Sequence, residues 1–317
     1  MKNLWIADGH CDSLGDLTNG KRDLTGTADF GHWDLKKAKQ AGIGLQFFAA
    51  YIEEEYKPFL ANQRGLQHLE QALKFIDENP EDVFLVRSKQ DLAKLGLGKP
   101  IGLLINIEGG EILGESLFML DLIYRLGVRS MGLTWNGRNA IADGVGELGS
   151  KGGLSRFGLK VIARMNDLGM VIDVSHLNEP GFWDVIHNTA SPVIASHSCA
   201  YGLCNHPRNL TDEQLRALAD LKGLVGVNFC REFLSADGQA SIDDVVKHIC
   251  YISEVTGVDT VAFGSDFDGI PALPDGLEDA SQFPILIDKL ARAGFNNQEI
   301  EKICNGNFVR VLNNVLK

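Results

Sequence analysis

No stretch of this 317-residue sequence approaches the ~20 uninterrupted apolar residues of a membrane-spanning helix. Basic residues are scarce. Thirty Lys and Arg stand against forty-two Asp and Glu, a net charge of −12, which argues against a nucleic-acid or anionic-membrane partner. The six cysteines (Cys11, Cys199, Cys204, Cys230, Cys250, Cys304) show no C-x-x-C spacing and no disulfide-scaffold density, so they read as reduced thiols of a cytoplasmic protein. The N-terminus MKNLWIADGH lacks the charged lead, long apolar region and cleavage site of a secretion signal. The C-terminus NFVRVLNNVLK reads as an amphipathic closing helix rather than a lipid-anchor signal. Internal repeats, low-complexity tracts and Pro/Gly/Ser linkers are missing too, so residues 1–317 are expected to form a single domain.

What is present is an alternation. Eight short apolar runs read as strands: Leu4–Asp8, Ile43–Ala50, Ile101–Ile107, Val128–Trp135, Met170–Val174, Pro192–Ala195, Leu224–Phe229 and Thr260–Gly264. Helical patterns separate them, from about Tyr56 to Glu78, over Leu117–Leu126, Arg156–Leu168, Glu179–Asn188, Asp212–Leu221 and Asp243–Thr256. Thr211 and Gln214 have the spacing of a capping box. Two further helices are expected from about Gln282 to Ala293 and from Asn297 to the end. Eight strands alternating with helices imply parallel pairing and an α/β class, and the arithmetic is that of a (β/α)8 TIM-like barrel. A doubly wound sheet is the alternative, because periodicity does not show closure.

The chemistry-bearing residues fall at the carboxyl ends of these runs, where a parallel barrel keeps its site. The first run ends in Asp8-Gly9-His10-Cys11-Asp12; residues two apart on an extended chain point the same way, so His10 and Asp12 can share a metal, with Cys11 turned away. The third ends in Glu108, a charge entering from a buried strand and needing a partner. The fifth and sixth end in Ser175-His176 and Ser196-His197. The eighth ends in Ser265-Asp266-Phe267-Asp268-Gly269, two more carboxylates two apart. Singly, each has a bland explanation: a hydrogen-bonded histidine, a salt-bridged glutamate, a turn-forming aspartate. Together they place five ligand-type residues at one end of four strands, with a sixth acid at another, and that convergence points to a metal site. His32, His68, His187 and His248 read as surface residues, and His206 as structural.

These stretches, with Leu133-Thr134-Trp135-Asn136, His206-Pro207-Arg208-Asn209 and Gly276-Leu277-Glu278-Asp279, resemble in order and over nearly the whole chain the membrane (renal-type) dipeptidases, a branch of the amidohydrolase superfamily. The resemblance implies a TIM-like barrel with two zinc ions. By matched position His10 and Asp12 would bind one, His176 and His197 the other, and Glu108 would bridge them. Asp266 would be the catalytic acid/base, and Arg208 would hold the substrate carboxylate, with Trp135 and Asn136 as further substrate-binding positions. The substrates implied are free dipeptides, often with a D-residue at the carboxyl side. A homodimer is an assembly to test.

One departure is visible. Many members have a histidine directly after the strand-four threonine, and this chain has Trp135. A tryptophan donates one N–H but carries no charge. Carbonyl polarisation is then expected from the zinc, or from Asn136, Arg138 or Asn139. Other amidohydrolase activities fit less well: deaminase-like sites tend to open with two histidines, and phosphotriesterase-like sites bridge with a strand-four lysine, which Val128–Trp135 lacks. Lactone or β-lactam hydrolysis stands as an alternative, and a non-catalytic binding paralogue as a more distant one.

Overall fold

The computed structural model describes residues 4–317. Nine parallel strands form one sheet: β1 Ile6–Asp8, β2 Ile43–Tyr51, β3 Val83–Leu85, β4 Ile101–Glu108, β5 Ser130–Gly132, β6 Val171–Asp173, β7 Val193–Ser198, β8 Leu224–Val227 and β9 Val261–Phe263. Eight of them close a ring, in the order β1-β2-β4-β5-β6-β7-β8-β9 and back to β1. Closure runs through β2, whose Leu45–Tyr51 pairs with Gly102–Glu108 of β4. The fold is therefore the expected (β/α)8 barrel, with helices around it, and the doubly wound alternative is excluded.

The ninth strand is unexpected. Val83–Leu85 lies outside the ring on the amino-terminal half of β4, while β5 takes the carboxyl half. Three residues are too few for a period to emerge from sequence. The expected strand Val128–Trp135 shrinks to Ser130–Gly132 because Leu133 and the residues after it leave the sheet, the Leu133 carbonyl instead accepting from Gly110 N. The first strand starts at Ile6 rather than Leu4, and the helix expected from Tyr56 starts at Ala61. The closing helix divides into Asn297–Glu301, a wide turn at Lys302–Gly306, and Asn307–Val315.

Local chemistry sets the helix ends. Asn178 Oδ1 accepts from Gly181 N at the start of Glu179–Asn188, with Pro180 in its first turn. Thr211 and Gln214 make the anticipated capping box of Asp212–Asp220. Ser155 caps Arg156–Leu168, which ends on the left-handed Gly169.

Strand alternation splits the core. One face of each strand packs outward against the helices, in a large cluster that includes Phe48, Ile105, Ile107 and Phe263. The other face fills the barrel with Ala7, Leu45, Phe47, Leu104, Val171, Ile194, Leu224 and Ala262. Phe308, Val311 and Leu312 of the last helix plug this interior from the amino-terminal side, with the Phe47 and Phe308 rings 5.1 Å apart. Each such buried side chain contributes about 1.5–3 kcal/mol. The bottom is thus closed by apolar packing, and the polar strand ends are left at the opposite mouth. None of the described helices is long and apolar enough to cross a membrane.

Candidate active site

At the carboxyl ends of the ring a cavity of about 510 Å³ opens over Asp12, Glu108, His176 and Asp266. His10 Nε2 lies 3.2 Å from Asp12 Oδ2, 3.4 Å from Glu108 Oε2 and 3.9 Å from Asp266 Oδ1. The other Glu108 oxygen, Oε1, faces His176 Nε2 at 3.0 Å and His197 Nε2 at 3.6 Å. The five expected ligand residues therefore converge, with one carboxylate oxygen turned to each side. The tightest groups are His10 with Glu108 and His197, and His10 with Asp12 and Asp266, so His10 stands between the two sets.

Hydrogen bonds fix the protonation of two rings. Ser196 Oγ donates to Asp173 Oδ2 at 2.5 Å, so it accepts from His197 Nδ1 at 2.8 Å. Asn136 Oδ1 accepts from His176 Nδ1, also at 2.8 Å. Both Nε2 atoms then carry lone pairs, yet they face each other at 2.9 Å beside a Glu108 oxygen. Three electron-rich atoms crowded in a buried space repel unless a cation lies among them. His10 Nε2 and Asp12 Oδ1 are likewise buried with no hydrogen-bond partner among the described residues. The donor set, imidazole and carboxylate, fits a divalent metal.

The electrostatics agree. Burial, and then the Arg208 charge, bring His176 down to about 3 and keep it neutral. Burial, with His10 and Arg208 adding, holds His197 well below its usual value. For Glu108 burial works upward, but His10 and His176 outweigh it and hold the carboxyl well below the usual range. For His10 burial works downward, and Glu108 and Asp12 overcome it and raise the ring well above its usual value. The carboxylates thus hold positive charge among them.

Two site residues sit in strained backbone. His176 has φ 66° and Asp266 φ 63°, the left-handed region that costs a side-chain-bearing residue about 1–3 kcal/mol. Tertiary bonds hold them there. The His176 carbonyl accepts from Val145 N at 2.8 Å and from Thr134 Oγ1 at 3.3 Å. Asp266 N donates to the His10 carbonyl at 3.2 Å, and its carbonyl accepts from Gly269 N. Gly269 has to be a glycine, since a Cβ there would run into the Asp12 and Asp266 carboxylates. On β7 a register irregularity between Ala195 and Ser198 falls where His197 is delivered.

Asp266 is buried, and burial raises its carboxyl pKa against the pull of His10. Its Oδ2 accepts from Asn228 Nδ2 at 2.9 Å. Arg208 is buried too, its Nη2 donating to the His197 carbonyl at 3.1 Å and its guanidinium 5.4 Å from the Phe233 ring centroid. Its Nε makes no hydrogen bond among the described residues. Trp135 and Asn136 line the cavity, Asn136 with its amide oxygen engaged by His176. His206 also lines it, its ring 4.5 Å from that of Phe233 and its Nδ1 accepting from Arg208 N, which shapes the loop presenting Arg208.

Asp268 is outside the expected ligand set; the roles expected of Arg138 and Asn139 and the surface placement of His68 and His248 need correction. Asp268 turns away from the metal-type cluster: it accepts from Ser13, Arg22 and the His32 and Trp33 amides, fastening the loop after β1. Arg138 pairs with Asp143 at 2.5 Å, and Asn139 ties Leu133, Ile141 and Ala142, so both brace their own loop instead of polarising a carbonyl. His68 and His248 are buried, not superficial, because they lie on the inner faces of their helices. His68 bonds Thr18, and His248 Nδ1 accepts from Ala200 N. Asn228, Asp173 and Thr134 were not read as site residues from sequence. Asn228 carries the same signal as the ligands, a polar residue just past a strand, and Asp173 is a charge inside an apolar run.

Barrel and cluster together define a (β/α)8 hydrolase-type fold with a metal-competent site at its strand ends. The sequence model of the membrane dipeptidase family, peptidase family M19, matches residues 1–317, and the chain belongs to that family. An uncharacterized dipeptidase of Schizosaccharomyces pombe is 36% identical over 296 residues, 88% of this chain and 71% of that protein. Among solved structures, the family M19 metallopeptidase dipeptidase AC superposes with a TM-score of 0.93 at 28% identity, covering 99% of both chains. A Rhodobacter sphaeroides metallopeptidase, liganded with a phosphinate mimic of the dipeptide L-Ala-D-Ala, gives a TM-score of 0.92 at 28% identity, covering 99% of this chain and 100% of that one.

Proposed function

We propose that the chain is one barrel domain that hydrolyses the amide bond of free dipeptides, those with a C-terminal D-residue included, with two zinc ions as cofactor. The observation that carries this is the convergence of His10, Asp12, Glu108, His176 and His197 beneath one cavity that Asp266 and Arg208 also line. The D-residue rests on the L-Ala-D-Ala mimic held by the Rhodobacter relative. When bound, the metal pair supplies Lewis acidity and lowers the pKa of a water toward neutrality. His10 and Asp12 would hold one ion, His176 and His197 the other, and Glu108 would serve both. Asp266 takes the proton of the attacking water and returns it to the leaving amine. Asn228 holds the far oxygen of Asp266 and so aims the near one at the floor. Arg208 binds the substrate carboxylate with its planar fork, which favours free dipeptides over longer chains. The six unpaired thiols fit a reducing compartment such as the cytoplasm.

The test is Asp266→Asn. The variant is expected to keep its zinc, counted by elemental analysis, and to lose about 10²–10⁴-fold in kcat on an L-L or L-D dipeptide. Full activity sinks the acid/base role, and two bound ions with no wild-type turnover on any dipeptide sink the dipeptidase reading.

A further inference from the structure

Opposite the arginine the cavity has a wall that the proposed chemistry does not use. In the closed ring β2 and β7 are four strands apart, directly across the barrel mouth. The loop after β7 carries Arg208; β2 ends in Tyr51, and Trp135 follows β5, two strands from each, where its ring reaches that of Tyr51 and lies 6.0 Å from that of His176. Both aromatics line the cavity, half-buried, with ring centroids 5.2 Å apart. Each brings a polar group to the cavity lining along with its ring, Tyr51 a hydroxyl and Trp135 an indole N–H. Lys57 braces the pair: its ammonium lies 5.1 Å from the Tyr51 ring centroid and 5.2 Å from that of Trp135, and is paired with Glu54 at 2.8 Å. Lys57 itself does not line the cavity.

We infer that Trp135 and Tyr51, stapled by Lys57, form the subsite for the amino-terminal side chain and select dipeptides whose first residue is aromatic or large and apolar. This rests on the dipeptidase reading, which puts the carboxylate at Arg208 and the scissile amide over Glu108. A dipeptide spans about 7 Å when extended, so its first residue then points across the ring toward β2. There it meets two flat faces already locked by a cation, which stack on rings and apolar chains. A basic first side chain gains less from rings already engaged by a cation and is disfavoured relative to an aromatic one. Trp135 thus acts as a substrate-binding residue and Lys57 as a positioning residue acting through the two rings.

The experiment compares kcat/KM for Phe-Ala, Leu-Ala, Lys-Ala and Ala-Ala on the zinc-loaded protein. Phe-Ala and Leu-Ala are expected to exceed Ala-Ala by about tenfold or more, with Lys-Ala well below Phe-Ala. Trp135→Ala and Tyr51→Ala should bring the Phe-Ala to Ala-Ala ratio close to one, mainly through KM. Lys57→Met should lower that ratio partway, and Lys57→Arg, which keeps a cation on the rings, should restore it. Turnover of dipeptides with no preference for the first residue, or a ratio unchanged in Trp135→Ala, overturns the subsite alone. No turnover of any dipeptide overturns the dipeptidase reading and the subsite with it.

Discussion

The two sides of the metal-type cluster are built differently. On the β6–β7 side each histidine ring is anchored at its far nitrogen, His197 through Ser196 to Asp173 and His176 to Asn136. Both rings are thereby fixed in one tautomer and kept neutral. On the β1 side His10 Nδ1 has no hydrogen-bond partner among the described residues, and the ring is flanked by Asp12, Glu108 and Asp266. One side is organised by hydrogen-bond relays and the other by charge. The relay presents pre-aimed neutral donors, while the acidic side contributes the negative charge that makes a dication favourable.

This contrast can be broken at its centre. Glu108→Ala removes the carboxylate whose two oxygens face the two sides; metal content, read by elemental analysis, should fall on both, and dipeptide turnover should drop by at least the factor expected for Asp266→Asn. Retention of two ions per chain would show that the sides are independent. A subtler change separates them. Asp173→Asn or Asn136→Ala loosens only the relayed side, and the dissociation constant of one metal should weaken about 10–100-fold while the other holds, as resolved by competition with a chelator. Equal weakening of both metals would contradict the asymmetry.

The smallest effect lies in the wall beside the β1 side. Glu53 is held by Arg64, which bonds it at 2.8 Å and outweighs burial to depress its carboxyl well below the usual range. A depressed carboxyl contributes stability that is present above its unfolded pKa of about 4.3 and is lost as pH falls through the lower folded value. With metal stripped by EDTA, Glu53→Gln should lower Tm at pH 7 by a few degrees and flatten the acid limb of Tm against pH. An unchanged acid limb would remove Glu53 from the account.

Much of this was legible in the residues. The alternation of apolar runs specified strands and helices because a parallel strand buried on both faces must be apolar, and caps such as Thr211 with Gln214 are local chemistry. The convergence at one mouth was legible as well, since polar residues at or just past the carboxyl ends of buried strands, among them His10, Asp12, Glu108, His176, His197 and Asp266, have few other reasons to be there. Closure of the ring through β2 and β4, the left-handed turns at His176 and Asp266, and the partners of Asp268 and Arg138 belong to the tertiary structure. Closure, the two turns and the Asp268 contacts depend on groups dozens to hundreds of residues away in sequence, which no local pattern encodes, while Arg138 meets Asp143 only five residues on, through the course of a loop that has no period to read. The same holds for the Lys57–Trp135–Tyr51 wall: the sequence supplied a tryptophan without a charge, and only folding set a lysine over its ring.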